Sequence, residues 1–248
     1  MLSLWSGQAE GDLRFHENRL HWPLRDLEKG KVRRYFVGNM TDIFNPLHDP
    51  WHLRRVFHVM NEAPEHTYMI LTKRPAGALD YNIWYRDHES PPAVSPWPID
   101  STWFGITGEN QRRYDERTQD LAQIQAAIKF VSLEPLLGPI DLGSAAKWLD
   151  WVIVGGETGP GARPMHPGWV RSLRDQCVAA GIPFWFKSWG AWFFEGRPVN
   201  PNDPAVRIIN LAGGHGFHGQ DAIHVRRQRN TGRFLDDREW SELPEVKA

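Results

Sequence analysis

Six apolar runs recur along the chain with helical patterns between them, and this alternation constrains the fold more than any other feature. They are "RYFVGNM", "TYMILTKRP", "TWFGITGEN", "IKFVSLEPL", "DWVIVGGE" and "PFWFKSWG", from Arg34, Thr67, Thr102, Ile128, Asp150 and Pro183 onward. Each is apolar on both parities, which fits strands buried on both faces of a parallel sheet. Strand and helix in turn imply right-handed βα crossovers. The expected fold is α/β: an incomplete (β/α) barrel of about six parallel strands over residues 35–190. An irregular segment, 1–34, precedes it, and a C-terminal extension of short strands and turns, 191–248, packs on it. An open doubly wound sheet has the same periodicity.

The crossovers carry helix signals of different strength. Between the first two runs, Asp49 can cap a helix and Pro50 suits its first turn. Leu53, Val56, Phe57 and Met60 then fall at i, i+3, i+4 and i+7 before Pro64. After the third run Asn110 can cap a helix carrying Tyr114, Leu121 and Ile124, with Ile128 at the start of the next strand. After the fifth, Pro167 opens a helix with Val170, Leu173, Cys177 and Ala180 on one face, closed by Gly181. Residues 76–100, with "SPPAVSPWP", read as a proline-rich excursion.

Composition limits the function classes. Twenty-nine basic and thirty acidic residues leave a net charge of −1, so no global field draws the chain to nucleic acid or an anionic membrane. No apolar run approaches the roughly 18 residues of a membrane span, and the amino terminus lacks a signal-peptide pattern. The expectation is a cytoplasmic protein with no membrane partner. The single cysteine, Cys177, excludes an intrachain disulfide, a multi-thiolate zinc site and an iron–sulphur cluster ligated by three cysteines of this chain. Several of the thirteen tryptophans flank strands or glycines (Trp103, Trp151, Trp185, Trp189, Trp192), where a large ring caps a core or lines a cleft.

Parallel α/β folds deliver functional residues at the carboxyl ends of their strands. Those ends carry Asn39 and Asp42; Thr72, Lys73 and Arg74; Thr107, Glu109 and Asn110; Glu134; Glu157 and Arg163; and Lys187 with Trp189. One shared polar cleft would account for them all. Helix capping is an equal explanation for Asn39 to Asp42 and for Glu109 to Asn110, and solvation for Lys73 and Arg74. Glu134 and Lys187 sit among apolar neighbours and so need a partner or a ligand; a structural salt bridge between them is as good an explanation as a functional pair. "GGETGPG" has neither the Lys-Ser/Thr of a P-loop nor the dinucleotide spacing. His215 and His218 in "GGHGFHG" lack a third metal ligand, so no metal site is expected. Arg226, Arg227, Arg229 and Arg233 form the one dense basic stretch, a solvated hairpin or a phosphate-contacting arm.

Several long segments also resemble a known family. "RRYFVGNMTDIFNPLHDPW", "FHVMNEAPEHTYMILTKRP", "WFGITGENQ", "FVSLEPLLGPIDL", "LDWVIVGGETGPGARPMHPGWVRSLRDQCVAAGIPFWFKSWG" and "TGRFLDDREWSELP" are similar, in order, to motifs of the phage-encoded family named after mycobacteriophage gene products thirty-seven and sixty-eight. The resemblance runs from about Arg19 to Pro244. It implies a radical-SAM-like partial barrel of phages, prophages and bacteria. In full-length relatives it implies three clustered cysteines holding a [4Fe-4S] cluster with S-adenosylmethionine, ahead of the segment similar to "RFHENRLHWPL". On this resemblance the chain is expected to begin after the cysteine loop and to use no cofactor alone. It would be an inactive remnant, a truncated or misassigned reading frame, or a piece completed by a separately encoded cysteine-bearing segment. Self-association through an exposed first strand is the other partner expected. The competing expectation is a noncatalytic nucleotide- or nucleic-acid-binding protein using the cleft and the basic stretch.

Overall fold

A computed structural model describes residues 5–6, 14–38, 41–88, 95–194, 206–210, 222–227 and 232–246. In chain order its elements are β1 (Trp5–Ser6), β2 (Arg14–Phe15), α1 (Glu17–Leu20), α2 (Trp22–Glu28), β3 (Arg34–Val37), α3 (Pro50–Glu62), β4 (Thr67–Thr72), α4 (Pro75–His88), β5 (Thr102–Thr107), α5 (Gln111–Gln123), β6 (Ile128–Leu133), β7 (Trp151–Gly155), α6 (Pro167–Ala180) and β8 (Phe184–Ser188). There follow β9 (Trp192–Phe194), β10 (Val206–Asn210), β11 (Ala222–Arg227), β12 (Phe234–Leu235) and β13 (Arg238–Glu239). Strands β3 to β8 form one sheet in strict chain order, and their registered pairs are parallel. A doubly wound sheet reverses its strand order at a switch point; this sheet does not. The order is that of an incomplete (β/α) barrel, the expected fold, and it decides against the doubly wound alternative that the periodicity left open.

The chain divides into two compact units, one of Met1–Ile106, Arg117–Lys129 and Val246–Ala248, the other of Thr107–Glu116 and Phe130–Glu245. In the first, α3 forms where its signals stand: the Asp49 carboxylate accepts from the Trp51 amide at 2.9 Å and Pro50 occupies the first turn. Leu53, Val56, Phe57, Val59 and Met60 are buried, each removal from water contributing about 1.5–3 kcal/mol. The first part of the proline-rich excursion is helical, Pro75–His88 forming α4, an element for which the sequence reading has no signal. Its apolar period is weak: only Pro75, Ala78 and Tyr81 are buried, while Gly77 and exposed Ile83 interrupt the stripe. Gly77 lies against the backbone of Phe44, a packing reason for a poor helix former at that position.

In the second unit, α6 is capped by the His166 imidazole, which accepts from the Gly168 amide at 2.9 Å, and it ends at Gly181 in the left-handed region. Trp169, Val170, Leu173 and Cys177 form its buried face. Residues beyond β13 cover the outer edge of β8: the Phe186 amide donates to the Trp240 carbonyl at 2.9 Å, and Ser241 bridges Trp185 antiparallel. An edge strand so covered offers no template for foreign pairing. Strands β9, β11 and β10 make a small antiparallel sheet over Ala162, Trp192, Ile209 and Val225. Among the described residues no helix is long and apolar enough to cross a membrane.

Candidate functional site

The strand ends of the second unit are locked together by glycines. A Cβ on Gly156 would overlap the Trp189 carbonyl, and one on Gly190 would overlap the Glu157 carbonyl. With hydrogen at these positions the backbones close to hydrogen-bonding range: the Gly156 amide donates to the Ser188 carbonyl at 2.9 Å, and the Ala191 amide to the Glu157 carbonyl at 2.8 Å. Only glycine permits that approach. Gly155 has a similar role toward a side chain, since a Cβ there would stand 3.1 Å from the Glu134 carboxyl carbon.

The pairing of β7 with β8 is irregular at this point. Val154 pairs with Phe186, but the next residue, Gly155, pairs with Ser188. Lys187 is therefore an extra residue, bulged out of the ladder, and a bulge re-aims the side chain it carries. Its ammonium donates to both oxygens of Glu134, at 2.7 and 2.9 Å. The partner that each needed among apolar neighbours is thus the other.

Glu157 closes a second pair. Its carboxylate accepts from the Arg163 amide at 2.7 Å and from Nε and Nη2 of the same residue at 2.8 and 2.7 Å. The hydrogen bond from Arg163 holds the Glu157 carboxyl below the usual carboxylate range, and the same bond raises the Arg163 guanidinium. Glu109 adds a further negative charge that acts on Arg163, and its carbonyl accepts from the Leu137 amide at 2.9 Å. Glu109, Glu134, Glu157, Arg163 and Lys187 thus gather at the ends of successive strands.

Other sequence candidates have structural employment. Asn110 accepts from the Arg113 amide at 3.0 Å and caps α5. Trp189 is buried and donates to the Phe234 carbonyl at 3.0 Å, tying the strand end to β12. In the first unit, Asp42 accepts from the Thr72 hydroxyl at 2.7 Å, the Phe44 amide at 3.1 Å and the Lys73 amide at 2.8 Å, and pairs with Arg74 at 3.3 Å. Four partners make Asp42 a clamp between the segments after β3 and β4. Lys73 contributes its backbone there and exposes its side chain. Asn39, His215, His218 and Arg229 lie outside the described residues; Arg226 and Arg227 fall on β11; Arg233 stacks over Trp185 at 4.9 Å.

The sequence reading missed the bulge at Lys187, the interlock of Gly156 with Gly190, and the Asp236 carboxylate. Asp236 accepts from Arg171 and Arg174 of α6 at 2.7 and 2.6 Å. The one available signal was "LDDR" between short strands, a hairpin turn whose two aspartates both adopt positive φ, as the two-residue type requires.

Six parallel strands in chain order, with ion pairs fixed at their carboxyl ends, define an α/β protein of the incomplete (β/α) barrel class. Within that class residues 2–244 match the family described as "Protein of unknown function (DUF5131)". The chain belongs to this family. Neither a curated protein nor a solved structure matches it.

Proposed function

We propose that this chain is a radical-SAM-like α/β scaffold, of the phage and prophage lineage its motifs resemble, whose second-unit strand ends bind a small polar ligand in the cytoplasm. The carrying observation is the bulged Lys187 held by Glu134. The register break sets a charged pair, which satisfies itself structurally, at the carboxyl end of a parallel sheet, the position where such folds carry binding groups, and this placement supports the reading.

The residues present do not fit an iron–sulphur cluster. Such a cluster needs several thiolates, and this chain has one thiol, Cys177, enclosed in α6 and pushed up to about 12 by burial. No step through a cluster or S-adenosylmethionine is assigned to these residues. Radical chemistry would require ligands from a cysteine-bearing segment outside this sequence. That segment, or a second copy of the chain, would pair with β3, whose registered neighbour is β4.

The test is hydrogen exchange on the full chain with a panel of S-adenosylmethionine, mononucleotides, amino acids and sugar phosphates. Slowed exchange at residues 155–163 and 187–191 supports the site. Protection confined to the segment around Arg226 to Arg233 would favour the nucleic-acid-binding reading, and protection by no compound would remove the site.

A further inference from the structure

The two ion pairs of the second unit are oriented alike. In each the carboxylate is the more buried partner and the cation the more exposed, 24% against 54% for Glu157 and Arg163 and 23% against 56% for Glu134 and Lys187. The Lys187 ammonium gives two of its three N–H groups to Glu134. Arg163 gives Nε and Nη2 to Glu157, which leaves Nη1 without a partner among the described residues. The carboxylates thus fix the cations while both cationic side chains stay about half exposed, as outer-shell carboxylates orient the groups that touch a ligand. In the loop that carries Arg163, a Cβ on Gly159 or Gly161 would meet nothing within 4 Å, so among the described residues the space beside those two glycines is open.

We propose that Arg163 and Lys187 bind the anionic group of a small-molecule ligand of the phosphate-ester or pyrophosphate class, at the ends of β7 and β8. The inference rests on the site proposed above and names what it takes. One donor fixed on β8 and one held in the loop after β7 suit an oxyanion that offers several peripheral oxygens. Local charge also restricts the source of the phosphate. Two cations stand with three carboxylates, Glu109, Glu134 and Glu157, a local sum of −1. A net negative surrounding gives an anion no long-range attraction, so binding depends on direct contact with the two cations, and added salt, which screens the local repulsion, does not weaken it steeply. A nucleic-acid backbone, in contrast, is held through many phosphates with a steep salt dependence.

The experiment is calorimetric titration of the full chain with inorganic pyrophosphate and, separately, with a single-stranded oligonucleotide, at low and moderate salt. Pyrophosphate is expected to bind the wild type, and Lys187→Met and Arg163→Met each to weaken it roughly tenfold or more. Arg112→Met, which removes an equal charge from exposed α5, leaves binding unchanged. Lys187→Arg keeps the charge and retains binding within several-fold, which separates loss of the donor from loss of the fold. Equal pyrophosphate binding by both methionine variants overturns the proposal. So does absence of pyrophosphate binding while another compound still slows exchange at 155–163 and 187–191, an outcome that leaves the site reading intact. Steeply salt-dependent oligonucleotide binding lost in Lys187→Met would overturn the small-molecule assignment.

Discussion

Gly156→Ala tests the interlock on which the site is built. The added methyl group would overlap the Trp189 carbonyl, and a backbone carbonyl cannot rotate away as a side chain can. The strand ends must part, which breaks the Gly156 to Ser188 and Ala191 to Glu157 hydrogen bonds. Each such bond contributes about 1 kcal/mol net, and about 1–3 kcal/mol is lost when a buried group is left unsatisfied. The expected destabilisation is about 2–6 kcal/mol. At a urea dependence of about 3 kcal/mol per molar, the unfolding midpoint falls by roughly 0.7–2 M. Gly159→Ala is the comparison, because its methyl group enters open space and the cost is only that of a positive φ, about 1–2 kcal/mol. A Gly156→Ala midpoint within 0.3 M of wild type, on the same slope (about 1 kcal/mol or less), would refute the close approach.

Glu157→Gln should destabilise the loop by about 0.5–1.5 kcal/mol at neutral pH, the pair being partly exposed. Because the folded carboxyl lies below its unfolded value, that contribution is present above the ordinary carboxylate pKa of about 4.3 and disappears as pH falls through the folded value; wild-type and variant melting curves should converge in acid, and a difference that grows there would contradict the pairing. Anaerobic reconstitution with iron and sulphide should give no stable [4Fe-4S] absorbance and no reductive cleavage of S-adenosylmethionine; a reproducible cluster lost in Cys177→Ala would overturn the ligand count. Light scattering behind a sizing column should find self-association through β3, whereas a monomer at tens of micromolar with protected β3 amides would show a closed edge.

The six main strands were legible because each is a short run apolar on both parities, and α3 and α6 because their caps and periods agree. Helix α4 was not, since its contact with the core involves Pro75, Ala78 and Tyr81 alone and a glycine packed on backbone breaks its pattern. Strand-end candidates could be named from position, but position alone could not divide them. Asp42 is engaged by neighbouring amides and a hydroxyl and Asn110 by a helix amide, whereas Glu134 and Lys187 meet from residues 53 apart in sequence. The bulge that brings them together is invisible to periodicity, because one inserted residue alters the pairing without altering composition. The edge cover over β8 was equally hidden, being a backbone pairing with Trp240 and Ser241.

Trace acetylation of lysines, read by mass spectrometry with and without pyrophosphate, tests the binding site most directly. Lys187 stands in the proposed contact; Lys129, bonded to the Ala122 carbonyl, and exposed Lys73 serve as internal references. The account predicts that saturating ligand slows acetylation of Lys187 several-fold, a consequence of the direct contact, and leaves the references unchanged. Ligand bound by calorimetry with Lys187 still acetylated at its free rate would contradict it.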